Sequence, residues 1–144
     1  LDTSSVIDMD RMFANSGFNQ PLVQGVNGWD TSSVTDMHAM FASNSAFNQD
    51  ISSWIVTGVT QINSSIGGGF DSFNTTQKFM YGKTPLTFSS ANLDALYNAW
   101  ANQNVQTGLR ISFSSANYTI LGGQAAKDVL TNTYGWIITD GGGV

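Results

Sequence analysis

Two stretches of this chain are copies of one another. LDTSSVIDMDRMF at residues 1–13 lies over WDTSSVTDMHAMF at residues 29–41, and Asp2, Thr3, Ser4, Ser5, Val6, Asp8, Met9, Met12 and Phe13 match position for position. Phe18-Asn19-Gln20 then matches Phe47-Asn48-Gln49. A third, diverged copy follows, with Trp54, Val59, Ile62 and Ile66 each 25 residues after Trp29, Val34, Met37 and Phe41, and with Phe73-Asn74 as a third Phe-Asn pair. An internal repeat narrows the possible folds sharply. A unit of this length cannot bury its apolar face alone, so copies must lie against copies.

The second half carries the same period. LTFSSANLDAL at residues 86–96 and ISFSSANYTIL at residues 111–121 share Phe-Ser-Ser-Ala-Asn at a spacing of 25. An anchor series therefore runs Leu1, Trp29, Trp54, Phe88, Phe113 and Ile138, with the long step from Trp54 to Phe88 holding an insertion near residues 78–85. Shared phase predicts that Trp29, Trp54, Phe88, Phe113 and Ile138 form one buried column.

Within a copy, Val34, Met37, Met40 and Phe41 fall at i, i+3, i+6 and i+7, the stripe of a short helix. Ser33 and Asp36 have capping-box spacing in front of it. A turn at residues 43–46 and an extended return from Phe47 to Trp54 complete the unit. Later, residues 92–103 (Leu93, Leu96, Ala99, Trp100) and residues 122–133 (Ala126, Val129, Leu130) predict longer helices, the first capped by Ser90 or Asn92. Leu86–Phe88, Leu109–Phe113 and Trp136–Ile138 predict strands. Strand and helix alternating at this short spacing imply parallel pairing. The expected architecture is α/β: one domain over residues 1–144, a right-handed, leucine-rich-repeat-like solenoid of about five coils of ~25 residues. Residues 1–74 form the repeats and residues 75–144 the longer-helix closing region.

Composition limits the chemistry. Charged residues are 10% of the chain, and all ten acids are Asp, against the usual quarter of charged residues. Net charge is −5 with five scattered basic residues, which argues against nucleic acid as partner. No apolar run is long enough for a membrane span, no signal peptide is present, and without cysteine there is neither a disulfide framework nor a thiolate metal site.

The strings WDTSSVTDMHAMF, FNQPL and FNQDISSW resemble the repeats of BspA-like bacterial surface proteins, a leucine-rich-repeat-related family. YNAW, GLRISFSSANYT and YGWIITDGG are similar to the region that closes such arrays. The resemblance implies a solenoid exported to the cell surface and a non-enzymatic role in adhesion or protein binding, the partner being a host or neighbouring-cell protein or a glycan. Two other readings stand beside it: an architectural spacer of a surface or virion assembly, and a polysaccharide hydrolase with paired carboxylates. The hydrolase is disfavoured by the scarce acids.

Candidate sites are few. Met9, Met12, Met37 and Met40 share a face, so they read as core and not as metal ligands. Asp8 and Asp36 read as caps, and calcium would need oxygen ligands clustered in a loop. Asp140 before three glycines is a better calcium candidate than these, but a flexible exit is the preferred reading. No metal or cofactor is expected. His38 reads as exposed, off the apolar stripe, and partners no serine-based triad. Asn19, Asn48 and Asn74 occupy one repeat position and read as an asparagine ladder bonding backbone at the turn. In the predicted strands Leu86 points inward, while Thr87, Arg110, Ser112 and Ser114 point outward as a ligand face. Tyr81 and Tyr97 are candidate exposed anchors. Residues 1–13 carry an apolar stripe with nothing upstream to cover it, so further repeats or a partner subunit are expected at that end.

Overall fold

The computed structural model describes residues 1–63 and 78–144. Ile66, Phe73 and Asn74 of the third copy, and Gly67-Gly68-Gly69, lie outside them. The elements in chain order are helix α1 (Ser90–Ala101), strand β1 (Arg110–Ser112), helix α2 (Ile120–Asn132) and strand β2 (Ile137–Thr139). The two strands pair in parallel, Arg110 with Ile137 through Ser112 with Thr139. This corrects the expected solenoid of five strand-and-helix coils. Among the described residues there are two helices and one two-stranded sheet, and the first two copies contain neither.

The hydrogen bonds explain the difference. The N–H groups of Met9, Arg11, Phe13 and Asn15 leave their own copy and donate to the carbonyls of Asp36, His38, Met40 and Ala42. Met37, Phe41 and Ser43 donate onward to Gln61, Phe79 and Tyr81. A helix needs every N–H for its own i−4 carbonyl, and here alternate donors are committed elsewhere. Those between them close tight turns instead: Met12 to Met9, Ala14 to Arg11, Met40 to Met37, Ala42 to Ala39. Arg11, Asn15, Ala39 and Ser43 all take positive φ, between 50° and 56°, the conformation that lets successive turns follow one another. Among the described residues, the strand-like pairing there consists of isolated parallel bridges, Asp8 with Asp36 and Asp36 with Gln61. The apolar spacing was a helical pattern fulfilled by a non-helical backbone: Val34, Met37, Met40 and Phe41 are all fully buried.

The C-terminal helices form where expected, each starting about two residues early. Ser89 caps α1 by accepting the Asn92 N–H, and Thr119 caps α2 by accepting the Gly122 N–H, each satisfying an otherwise unpaired first-turn donor. Leu93, Leu96, Tyr97 and Trp100 are buried on α1, and Gly123, Ala126 and Leu130 on α2; Val129 is exposed. Leu86–Phe88 is not a strand. Thr87 and Phe88 both donate to Thr84 O in a turn, and Leu86 is 93% exposed.

Aromatic rings join the two halves. Centroids lie 5.5 Å apart for Trp29–Trp54, 6.0 Å for Trp54–Phe41, 5.7 Å for Phe41–Phe79, 6.3 Å for Phe79–Phe113 and 6.4 Å for Phe113–Phe88. The anchors Trp29, Trp54, Phe88 and Phe113 are buried and Ile138 is half-buried. Phe41 and Phe79 sit between the tryptophan pair and the phenylalanine pair.

Candidate functional site

The polar residues of the repeat motif lie along the seams between copies. Thr3 and Thr31, equivalent and both buried, bridge to the next copy in the same way. Thr3 Oγ1 accepts the Asp30 N–H and donates to Asp30 O at 2.8 Å; Thr31 Oγ1 accepts the Ile55 N–H and lies 3.0 Å from Ile55 O. The third copy has Val56 at this position. There Gln103, just beyond α1, substitutes its amide: Nε2 donates to Trp54 O and Oε1 accepts the Val56 N–H. Neither device was singled out from the sequence. The threonines were visible as matching positions of the first two copies, but Gln103 carried no local signal.

Six of the carboxylates hold turns. Asp2, Asp8, Asp30, Asp36, Asp50 and Asp140 each accept the N–H two residues on, the Asx-turn geometry. The helix-capping role expected of Asp8 and Asp36 is therefore replaced by turn-holding. Hydrogen bonds from Ser4 and Ser32 hold the carboxyls of Asp2 and Asp30 below the usual carboxylate range. Asp94 on α1 works across elements, its two oxygens accepting the N–H and hydroxyl of Thr119 at the start of α2.

Asn19 Oδ1 accepts the Asn48 N–H, and Asn48 Oδ1 accepts the Ser89 N–H and the Asn92 amide. Asn74 lies outside the described residues. A second asparagine, Asn44, is buried and was not anticipated. It donates to Phe13 O and Phe18 O and accepts from Ala46 and Phe47.

The predicted ligand face is not one outward strip. Ser112 is buried, correcting its outward assignment, and its Oγ accepts the Ser114 N–H. Thr87 is half-buried in the 84–87 turn, where its hydroxyl accepts the Thr84 N–H. Ser114 Oγ accepts the Gly82 N–H, and Arg110 is half-buried beside an open groove lined by Thr60, Ile62, Asn63, Gly108 and Leu109. Tyr97, a candidate exposed anchor, is fully buried; Tyr81 is half-buried. His38 is likewise buried, not exposed, with Nδ1 3.3 Å from Asp10 Oδ1.

Two buried polar clusters remain. Lys83 is enclosed, donating to Asn44 O at 2.5 Å and to Phe47 O, and its burial pushes the ammonium down to about 8. Asp140 gathers the Tyr97 hydroxyl at 2.6 Å, the Lys127 ammonium at 2.9 Å and the Gly142 N–H. Burial, reinforced by Asp140, raises the Tyr97 phenol far above its ordinary value. These groups tie β2 and the C-terminal turn to both helices. Among the described residues no three acids or histidines group as metal ligands, and no helix is long and apolar enough to cross a membrane.

Residues 1–83 match a family described as a Mycoplasma protein of unknown function, DUF285. The chain belongs to the DUF285 family. No curated protein and no solved structure matches the chain. The DUF285 region spans the DTSSV motif copies and ends at Lys83, so the threonine bridges, the Asx turns of Asp2, Asp8, Asp30, Asp36 and Asp50 and the Asn19–Asn48 link fall within it. Helices α1 and α2 and the sheet lie beyond it.

Proposed function

We propose that this DUF285 chain is a non-catalytic binding module of a cell-surface protein, recognising a protein or glycan partner, and that it resembles BspA-like surface proteins in role as well as in repeat sequence. The observation that carries this reading is the use made of the motif's polar groups. Thr3, Thr31 and six aspartates are engaged with backbone between copies or in turns. A hydrolase needs two carboxylates free to face a scissile bond across roughly 5–10 Å, and a carboxylate already serving a backbone N–H is poorly suited to that work. A repeating scaffold with variable exposed positions suits partner binding.

Arrays of glycans and matrix proteins probed with the purified chain test this. Saturable binding to one ligand class, without turnover, is the expected result. Silence across both arrays would favour a spacer, and cleavage of a polysaccharide that is lost in a single Asp→Asn variant would favour a hydrolase.

A further inference from the structure

The insertion that lengthens the first unit, residues 23–28, ends on Asn27-Gly28, the single Asn-Gly pair of the sequence. Its base is held to the second copy. The Gln24 N–H donates to Ser53 Oγ, and the Gln24 side-chain amide donates to Asp30 and accepts the Thr31 N–H. Its tip is a tight turn. The Trp29 N–H donates to Val26 O at 3.0 Å, and Asn27 and Gly28 lie between them at φ 52° and 79°. Both residues are exposed. The turn's own bond uses neither the Asn27 side chain nor the Gly28 N–H, and among the described residues neither group takes a hydrogen-bond partner.

That arrangement is chemically reactive. The amide carbon of an asparagine side chain can be attacked by the backbone nitrogen of the next residue, closing a succinimide ring. A side chain on that next residue shields the nitrogen, and glycine has none. Position 28 is restricted to glycine on two counts. Its φ lies in the left-handed region that glycine adopts without penalty, and a Cβ there would collide with the Leu1 carbonyl. The turn therefore requires the residue that leaves the nitrogen open to Asn27. The sequence has one other pair of this class, Asp140-Gly141, and the fold locks it. The Gly141 N–H donates to Ala116 O at 2.8 Å, and the Asp140 carboxylate is held by Tyr97, Lys127 and the Gly142 N–H.

We propose that Asn27 is a self-modifying site, converting in the folded chain to isoaspartate and loosening the seam between the first two copies. The Gly28 nitrogen gives its proton to solvent base and attacks Asn27 Cγ. The N–Cγ bond forms, the Cγ–Nδ2 bond breaks, and ammonia leaves. Water then opens the ring. Attack at Cγ gives aspartate; attack at the main-chain carbonyl carbon gives isoaspartate, with the backbone running on through Cγ. Both products carry a carboxylate where the amide was neutral, and the second lengthens the backbone by a methylene. The neighbouring Gly28 O accepts the buried Thr3 N–H at 2.9 Å, so the displacement falls on a bond that joins the copies. The reaction needs only water and is independent of any ligand the chain binds.

Ageing the purified chain in mildly alkaline buffer, with peptide mapping by mass spectrometry and labelling by an isoaspartyl methyltransferase, tests the proposal. The peptide containing Asn27 should gain the mass of NH replaced by O, release ammonia in equal amount and take the methyl label. It should do so in the folded chain at a rate comparable to that in the chain unfolded in urea, whereas the Asp140 peptide should take label only after unfolding. Asn27→Gln, with far-ultraviolet circular dichroism unchanged, should lose the label. The aged chain should also unfold at lower urea concentration than Asn27→Gln aged beside it. Conversion of Asn27 only after unfolding, earlier conversion of another asparagine in the folded chain, or equal urea midpoints for the two aged chains would each overturn it.

Discussion

Gly122 and Gly123 open α2 where a helix would ordinarily favour alanine by about 1 kcal/mol. Here a Cβ on Gly122 would meet Asp94 Oδ2 at 2.4 Å, and one on Gly123 would meet Asp94 Oδ1 at 2.5 Å. Asp94 cannot swing aside without releasing Thr119. Gly123→Ala should therefore destabilise the chain by about 1–3 kcal/mol in urea unfolding, the usual cost of overpacking, and the cost should shrink when Asp94→Ala is added. Lys83 provides a pH signature. Its ammonium titrates at about 8 in the fold and near 10.4 when unfolded, so between those values the unfolded chain binds the extra proton and stability rises with pH. Tyr97 acts oppositely. Its raised phenol keeps its proton in the fold while the unfolded chain loses one, so stability falls as pH rises above about 10. Subtracting the stability profile of Lys83→Met from that of the unaltered chain should isolate a rise between pH 8 and 10; a flat difference would count against the burial of a charged amine. Neither Lys83 nor Asp94 was legible from its own neighbourhood, because the groups each meets, Asn44 and Phe47 or Thr119, are 25 or more residues away.

At the scale of elements, side chains add to the backbone hydrogen bonds that join one copy to the next. Thr31→Val keeps shape and removes the hydroxyl, leaving the Ile55 N–H and carbonyl without it. Losing a buried partner of this kind costs about 1–3 kcal/mol, and amide exchange at Ile55 should accelerate in step; unchanged exchange would show that the threonine bridge carries nothing. The helices were readable in the sequence because their apolar stripes are local; the caps were not, since Ser89 caps α1 in place of the expected Ser90 or Asn92, and Thr119, which caps α2, was not singled out. The turn ladder of the first two copies was not. Its apolar spacing is that of a helix, and only the neighbouring copy decides where Met9, Arg11 and Phe13 send their N–H groups.

Over the whole molecule, Phe79 connects the two halves, with rings of Phe41 at 5.7 Å, Trp100 at 6.3 Å and Phe113 at 6.3 Å. Phe79→Ala should cost about 3–5 kcal/mol. Unfolding followed by tryptophan fluorescence and by far-ultraviolet circular dichroism should give coincident transitions in the unaltered chain, since the fluorescence reports Trp29 and Trp54 along with Trp100 and Trp136 and the circular dichroism reports mainly α1 and α2. Separate transitions would mean that the repeats and the helical region fold independently.

The amino-acid sequence alone determined the repeat, its residue-by-residue alignment over residues 1–13 and 29–41, the two C-terminal helices, the parallel pairing of the final strands and most of the buried apolar set, because each of these is written in local spacing. The tertiary structure decided the rest. It replaced a solenoid of strands and helices with turns bridged in register, turned Ser112, His38 and Tyr97 inward, and recruited Gln103 and Lys83 to serve carbonyls far away in sequence. The physical reason is the same in each case. A backbone donor or acceptor must find a partner once water is excluded, and whether that partner lies in the same turn or in the next copy depends on which segments are brought together.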